Sequence, residues 1–207
     1  MSLPITLRAA TTADCPAIAA LLVQLYAAEI PGALTGPLAA QRSLLSYTLQ
    51  AERYGGLRGR YLALDPQGSL VGTAAVRLPA TPPVNRAPAG TVRMAVTLLG
   101  FRHALRMLGT LARAMVLPSP PLPAQHAYVH GVVVDEAQRG HGWGEQIMLA
   151  LEASLRDQGI AGIQLQVVVS NAGARRLYQR LGYQLAGRSP RWLDPVTFAT
   201  ETLHKQL

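Results

Sequence analysis

The stretch VVVDEAQRGHGWGEQIMLALE, from Val132 to Glu152, limits what this chain can fold into more than any other. Its β-branched opening reads as the end of a buried strand, and the apolar spacing after Gly144 reads as a helix. Gly140, Gly142 and Gly144 stand between the two. A strand, a glycine-rich turn and a helix start together make an anion site. The first backbone N–H groups of a helix have no partner inside it, and the helix dipole adds partial positive charge. Glycine lets the backbone adopt positive φ and come close to a ligand. Arg139 and His141 add side-chain donors, and Arg139 could give a charge-assisted bond to a phosphate. The spacing alone also occurs in plain tight turns. Context excludes two common phosphate folds. There is no Gly-Lys-Ser/Thr ending, so this is not a P-loop. The dinucleotide fingerprint needs a longer glycine series and an acid closing the next strand, which here ends QVVVSN.

The rest of the chain alternates strands and helices. ITLRAA (Ile5 to Ala10) reads as a strand. A helix follows, with Thr11 or Thr12 as cap and Asp14 in the first turn. After IPGALTGP, the pattern predicts a second helix over about Leu38 to Glu52. RYLALD and LVGTAAVRL then form a hairpin around PQGS. HAYVHGVVV (His126 to Val134) and GIQLQVVV (Gly162 to Val169) are strands rich in β-branched residues. The helix after the glycine loop runs to about Asp157 and is ended by Gly159. SNAGARRLYQRLG is a short helix closed by Gly182, and YQLAGRSPRWL with TFATETLHKQL reads as a terminal hairpin.

Residues 79–123 stand apart. Proline-rich edges bracket an apolar segment, Met94 to Leu117, whose spacing predicts one amphipathic helix. Phe101, Leu105, Leu108, Ala112 and Met115 share a face; Arg102, Arg106 and Arg113 share another. So many arginines exclude a comfortable membrane span. The apolar face is expected to pack on its own domain or on a second subunit, and binding at a membrane surface stays open.

Composition narrows the function classes. With 49% apolar and 14% charged residues among 207, a well-filled core is expected and global disorder is not. The formal charge of +8 comes from scattered cations. It suits an anionic cofactor or acidic substrates as well as nucleic acid, and no nucleic-acid partner is expected. Cys15 is the single cysteine, so no internal disulfide forms, and no metal-ligand spacing appears. MSLPITLRAATTAD lacks the apolar core of a secretory signal, so the chain is expected to be soluble and cytoplasmic.

RGHGWG after VVVDEAQ resembles the acetyl-CoA pyrophosphate loop of the GNAT superfamily of N-acetyltransferases, with Arg139, Gly142 and Gly144 on its defined positions. NAGARRLYQRLGY (Asn171 to Tyr183) is similar to a second block of that family. The order of elements agrees from about Ile5 to Tyr183, apart from the insertion. The resemblance implies an α/β fold: one GNAT-like domain over residues 1–207, with a mixed, twisted sheet flanked by helices and a helical insertion between strands 3 and 4. It implies an acetyltransferase that moves acetyl from acetyl-CoA to an amine, either a small molecule or a protein amine, by direct attack. It also implies site roles. Val132, Val133 and Val134 would offer backbone groups to the pantetheine, from an edge that splays away from the next strand. Backbone N–H groups of Arg139, Gly140, His141, Gly142, Trp143 and Gly144 would take the pyrophosphate. Asn171 would bond the pantetheine arm, cap the last helix, or do both.

Tyr178 stands at the family's usual general-acid position, and a phenol can serve a departing thiolate. Many relatives carry a Glu eleven residues before the loop's first Arg or Gln. Tyr128 stands there and is a poor base at neutral pH. His126, Tyr128 and His130 alternate and share one face of the strand. His130, with an ordinary pKa near ~6.5, is the base candidate beside the alternatives Glu29 and Glu52. The missing acid leaves a non-catalytic acyl-CoA-binding or regulatory module as the rival reading. The family's dimers make the face of Phe101, Leu105 and Leu108 a candidate homodimer interface.

Overall fold

The first strand and helix show how local sequence sets direction. β1 (Thr6–Ala9) leads into a 3-10 turn and then α1 (Cys15–Glu29). Asp14 closes this corner: the Thr11 N–H donates to its carboxylate at 2.8 Å, and Arg8 forks onto it at 2.7 and 3.0 Å. These donors hold the Asp14 carboxyl well below the usual carboxylate range, Arg8 foremost. Pro16 fits the first helical turn, where no N–H is needed. Cys15 is fully buried at the start of α1.

The fold comes from a computed structural model that describes residues 5–51, 57–79, 81, 87–116, 121–195 and 197–207. After α2 (Leu38–Ala51) come β2 (Arg60–Leu64) and β3 (Leu70–Arg77), then α3 (Thr91–Leu99), α4 (Phe101–Met115) and β4 (His126–Val134). The chain continues through α5 (Trp143–Asp157), β5 (Gly162–Val168), α6 (Ala172–Arg180), β6 (Gln184–Arg188) and β7 (Thr200–Gln206). The seven strands form one mixed sheet in the order β1-β2-β3-β4-β5-β7-β6, antiparallel except at β4–β5. The expected α/β architecture is therefore present, with the terminal hairpin formed by β6 and β7.

Strand periodicity divides the core between two faces. Ala63, Ala127, Val129, Ile163 and Leu165 meet Ile147, Met148, Leu151 and Leu155 of α5. Leu62 joins the cluster of α1 and α2, built on Cys15, Ile18, Leu22, Leu45 and Leu49. Buried Glu152 of α5 accepts from Lys205 of β7 at 2.6 Å.

The insertion departs from expectation. It forms two helices, because Gly100 sits at φ 84 and ψ 159, which no helix accommodates. Its N–H closes α3 on the Val96 carbonyl at 3.0 Å. The face that packs is also not the one predicted. Ala104 and Met107 go inward, onto Leu44, Ala95 and Leu99. Thr110 and His103 bond the Gly32 carbonyl (3.3 Å) and Thr35 (2.8 Å). Phe101, Leu105, Leu108, Ala112 and Met115 all face outward, so that stripe does not pack on its own domain. Periodicity states which residues share a face, and packing chooses which face is covered.

Candidate active site

Two backbone features build the site. β4 pairs with β5 only from His126 to Val129, against Gly162 to Leu165. Beyond that point the edge of His130 to Val134 facing β5 has no strand partner among the described residues. The divergence starts at a bulge: Ala75 faces His130 and Thr73 faces Val133, so Ala74 alone spans Gly131 and Val132. Gly131 sits at φ 59, a left-handed conformation that the β-branched neighbours would resist. Its place at this bulge was missed in the sequence; the signal was a lone glycine inside a β-branched run.

The glycine loop is the second feature. Asp135 caps a short 3-10 turn by accepting from the Ala137 N–H at 3.0 Å. The Arg139 N–H is used there too, donating to the Glu136 carbonyl at 3.4 Å. From Gly140 to Gly144 the five consecutive N–H groups have no acceptor among the described residues. Glu145 and Gln146 then close the helix on the Gly142 carbonyl at 3.1 and 3.2 Å. Gly140 and Gly142 have φ of 83 and 81, and a Cβ on either would meet open space. Gly144 differs. A Cβ there would lie 3.2 Å from Leu177, so this glycine serves the packing of α5 on α6. The Arg139 guanidinium is engaged by the Val134 carbonyl and Gln24, at 3.3 and 3.5 Å. The His141 ring lies 3.2 Å from the Gln138 carbonyl, and Trp143 packs on the main core.

The diverging strands open onto a cleft of about 190 Å³. Its lining includes Tyr178, His130, Val132, Tyr128, Glu29 and Gln166. Phe198, Thr200 and Ala114 of α4 complete its wall. His126 is not in it; its ring bonds the Ala124 carbonyl at 3.0 Å. Glu52 lies outside the described residues. Asn171 caps α6 by accepting from the Ala174 N–H at 3.1 Å, and its amide reaches Glu29 at 3.5 Å.

Burial raises the Tyr178 pKa above its ordinary value, and the charge of Glu29 adds to this. The ring stands edge-on to Tyr183, 5.6 Å between centroids. Tyr128 donates to Gln166 at 3.2 Å and stacks on His130 at 5.7 Å. His130 is open to solvent on one side, yet the cleft desolvates its ring and Arg60 and Arg77 repel a further positive charge. Its pKa is held down to about 4. Burial raises the pKa of Glu29, partly opposed by Asn171.

The sequence pattern of the Acetyltransferase (GNAT) family matches residues 36–183. The chain belongs to that family. Among curated relatives, it is similar to the uncharacterized N-acetyltransferase YycN of Bacillus subtilis, 35% identical over 65 residues, which are 31% of this chain and 42% of YycN. It is also similar to the L-methionine sulfoximine/L-methionine sulfone acetyltransferase of Pseudomonas aeruginosa, 37% identical over 76 residues, 33% of this chain and 44% of that one. The chain thus spans under half the length of these relatives. In fold it is similar to yncA of Salmonella typhimurium, solved with its cofactor acetyl-CoA. That likeness has a TM-score of 0.54 at 16% identity, over 98% of this chain and 94% of the other. No described helix is long and apolar enough to cross a membrane.

Proposed function

We propose that this chain is an acetyl-CoA-dependent N-acetyltransferase whose residues 1–207 act as one domain. One observation carries the reading. Five consecutive free N–H donors, Gly140 to Gly144, lie beside an unpaired strand edge that leads to the Tyr178 cleft. Those donors suit a pyrophosphate, and the edge at Val132 to Val134 suits the pantetheine amides. Asn171 lies where the arm would pass, since its amide already reaches the cleft carboxylate.

The acceptor amine must lose a proton before it attacks the thioester carbonyl. Glu29 is better suited to take it than His130. A base works best with a pKa near the operating pH; burial moves Glu29 toward that range, while His130 is displaced below it. As the tetrahedral intermediate collapses, the thiolate leaves and the Tyr178 hydroxyl donates to it. A phenol with a raised pKa stays protonated, so its hydroxyl remains available to donate a hydrogen bond to the departing thiolate. A cleft of about 190 Å³ with one carboxylate among mixed polar, apolar and aromatic walls fits a small amine better than a protein chain. The Pseudomonas relative, named for small amino-acid analogues, points the same way.

Isothermal titration with acetyl-CoA tests the reading, on wild type, Gly142→Ala and Gly142→Glu. The alanine variant carries the left-handed strain of about 1–2 kcal/mol alone; the glutamate adds negative charge where the pyrophosphate sits. Binding by wild type and the alanine variant, lost in the folded glutamate variant, is expected. No binding by folded wild type overturns the proposal. Binding without thiol release on any amine leaves the acyl-CoA-binding module as the correct reading.

A further inference from the structure

Between Asp65 and Asp135 the sequence has no acidic residue and six arginines. Five of the six, Arg77, Arg93, Arg102, Arg106 and Arg113, lie on described elements, three of them on α4. The ion pairs Arg8–Asp14, Arg175–Glu201, Arg188–Asp194 and Lys205–Glu152 lie elsewhere, and Arg113 is engaged over the Phe198 ring, 5.6 Å from its centroid. On α4 the arginines border a bare apolar stripe: Phe101 is 69% exposed, Leu105 59% and Met115 80%. Val92 and Val96 of α3 are exposed as well, at 51% and 39%. A monomer in water has no use for such a stripe on a helix whose opposite side already packs.

We propose that α3 and α4 form a docking surface for an anionic lipid bilayer, with the α4 stripe seated among the acyl chains and Arg102 and Arg106 meeting the headgroups. Charge selects this occupant. An amphipathic helix with arginine beside bulky apolar residues lies flat in a bilayer interface, and anionic lipid strengthens it. A second copy would bring arginine toward arginine with no carboxylate on either helix to meet it. Nucleic acid would satisfy the arginines and leave Phe101, Leu105 and Met115 in water. The site gains from this placement: Ala114 lines the cleft and Met115, its neighbour, is the most exposed residue of the stripe, so the cleft wall reaches the docked face.

Co-sedimentation with phosphatidylcholine vesicles, alone and mixed with phosphatidylserine, tests this on the full chain. Sedimentation velocity without lipid reads the oligomeric state. Wild type should bind the mixed vesicles, bind the neutral ones poorly, and release at high salt. The variant R102Q/R106Q should lower the partition coefficient by roughly thirtyfold, as expected for two arginines at an anionic surface. The variant F101S/L105S should abolish binding and leave circular dichroism unchanged, because both side chains are exposed. No binding of wild type to anionic vesicles overturns the proposal. So does binding that survives both variants. A dimer that the serine variant dissociates overturns it in favour of a second copy.

Discussion

Glu29 shows how one side chain can set stability against chemistry. Burial raises its pKa, so the folded state prefers the neutral carboxyl. Its contribution to stability is full below the unfolded carboxylate pKa and is lost as pH rises through the folded value. Glu29→Gln should therefore raise Tm at neutral pH, where the wild-type carboxylate is charged. The same change should lower kcat/KM by roughly 10²–10⁴ and remove the acidic limb of its pH profile. His130 behaves with the opposite sign. Its folded pKa of about 4 favours the neutral ring. Its contribution is present above the unfolded value and is lost as pH falls toward the folded one. His130→Gln should leave the acidic limb in place; disappearance of the limb in that variant would return the base to His130. Tyr178→Phe should cut kcat by about 10²–10³ while the acetyl-CoA Kd holds, because the hydroxyl meets only the leaving group. The sequence named all three residues. It placed His130 ahead of Glu29; the reverse order proposed here rests on burial and on two arginines from β2 and β3.

Among elements, β4 matters most because it ends its pairing at a bulge. Gly131 at φ 59 permits that bulge. Gly131→Val should cost about 1–2 kcal/mol or more from the left-handed backbone, read by chemical denaturation. Acetyl-CoA affinity should fall further, by roughly tenfold, if the exposed edge supplies a main-chain hydrogen bond. An unchanged Kd would show that the edge does not hold the pantetheine. α6 is placed by contacts of its own side chains with other elements. Leu177 closes on Gly144, and Arg175 forks onto Glu201 of β7 at 2.7 and 2.9 Å. The glycine that resembled a phosphate residue is therefore also a packing residue, and spacing along the chain could not separate the two roles.

For the whole molecule, the tie between α5 and β7 joins the glycine-loop helix to the terminal strand. Glu152 is 3% exposed and Lys205 retains some contact with solvent. Glu152→Ala should cost about 3 kcal/mol in urea denaturation, at the lower end for a buried pair because Lys205 can turn outward. The double change with Lys205→Met should recover most of that loss. Recovery with kcat unchanged per folded molecule would mark the pair as structural; a single-variant cost near zero would mean that water already screens it.

Local physics alone determined most of the framework. Strand β4 ends where its β-branched run does, and α5 starts at the glycines, where Gly142 takes a positive φ. These signals act over a few residues, so they survive in the sequence. What required tertiary structure was every choice between equivalent local options. Gly100 broke a helix that periodicity joined, and the partners beneath α4 took Ala104 and Met107 instead of the larger apolar face. Glu29 met Tyr178 in one cleft although 149 positions separate them in the chain. Burial, the sign of a pKa shift and the outward turn of a stripe depend on atoms far away in the chain, and no local pattern encodes those distances.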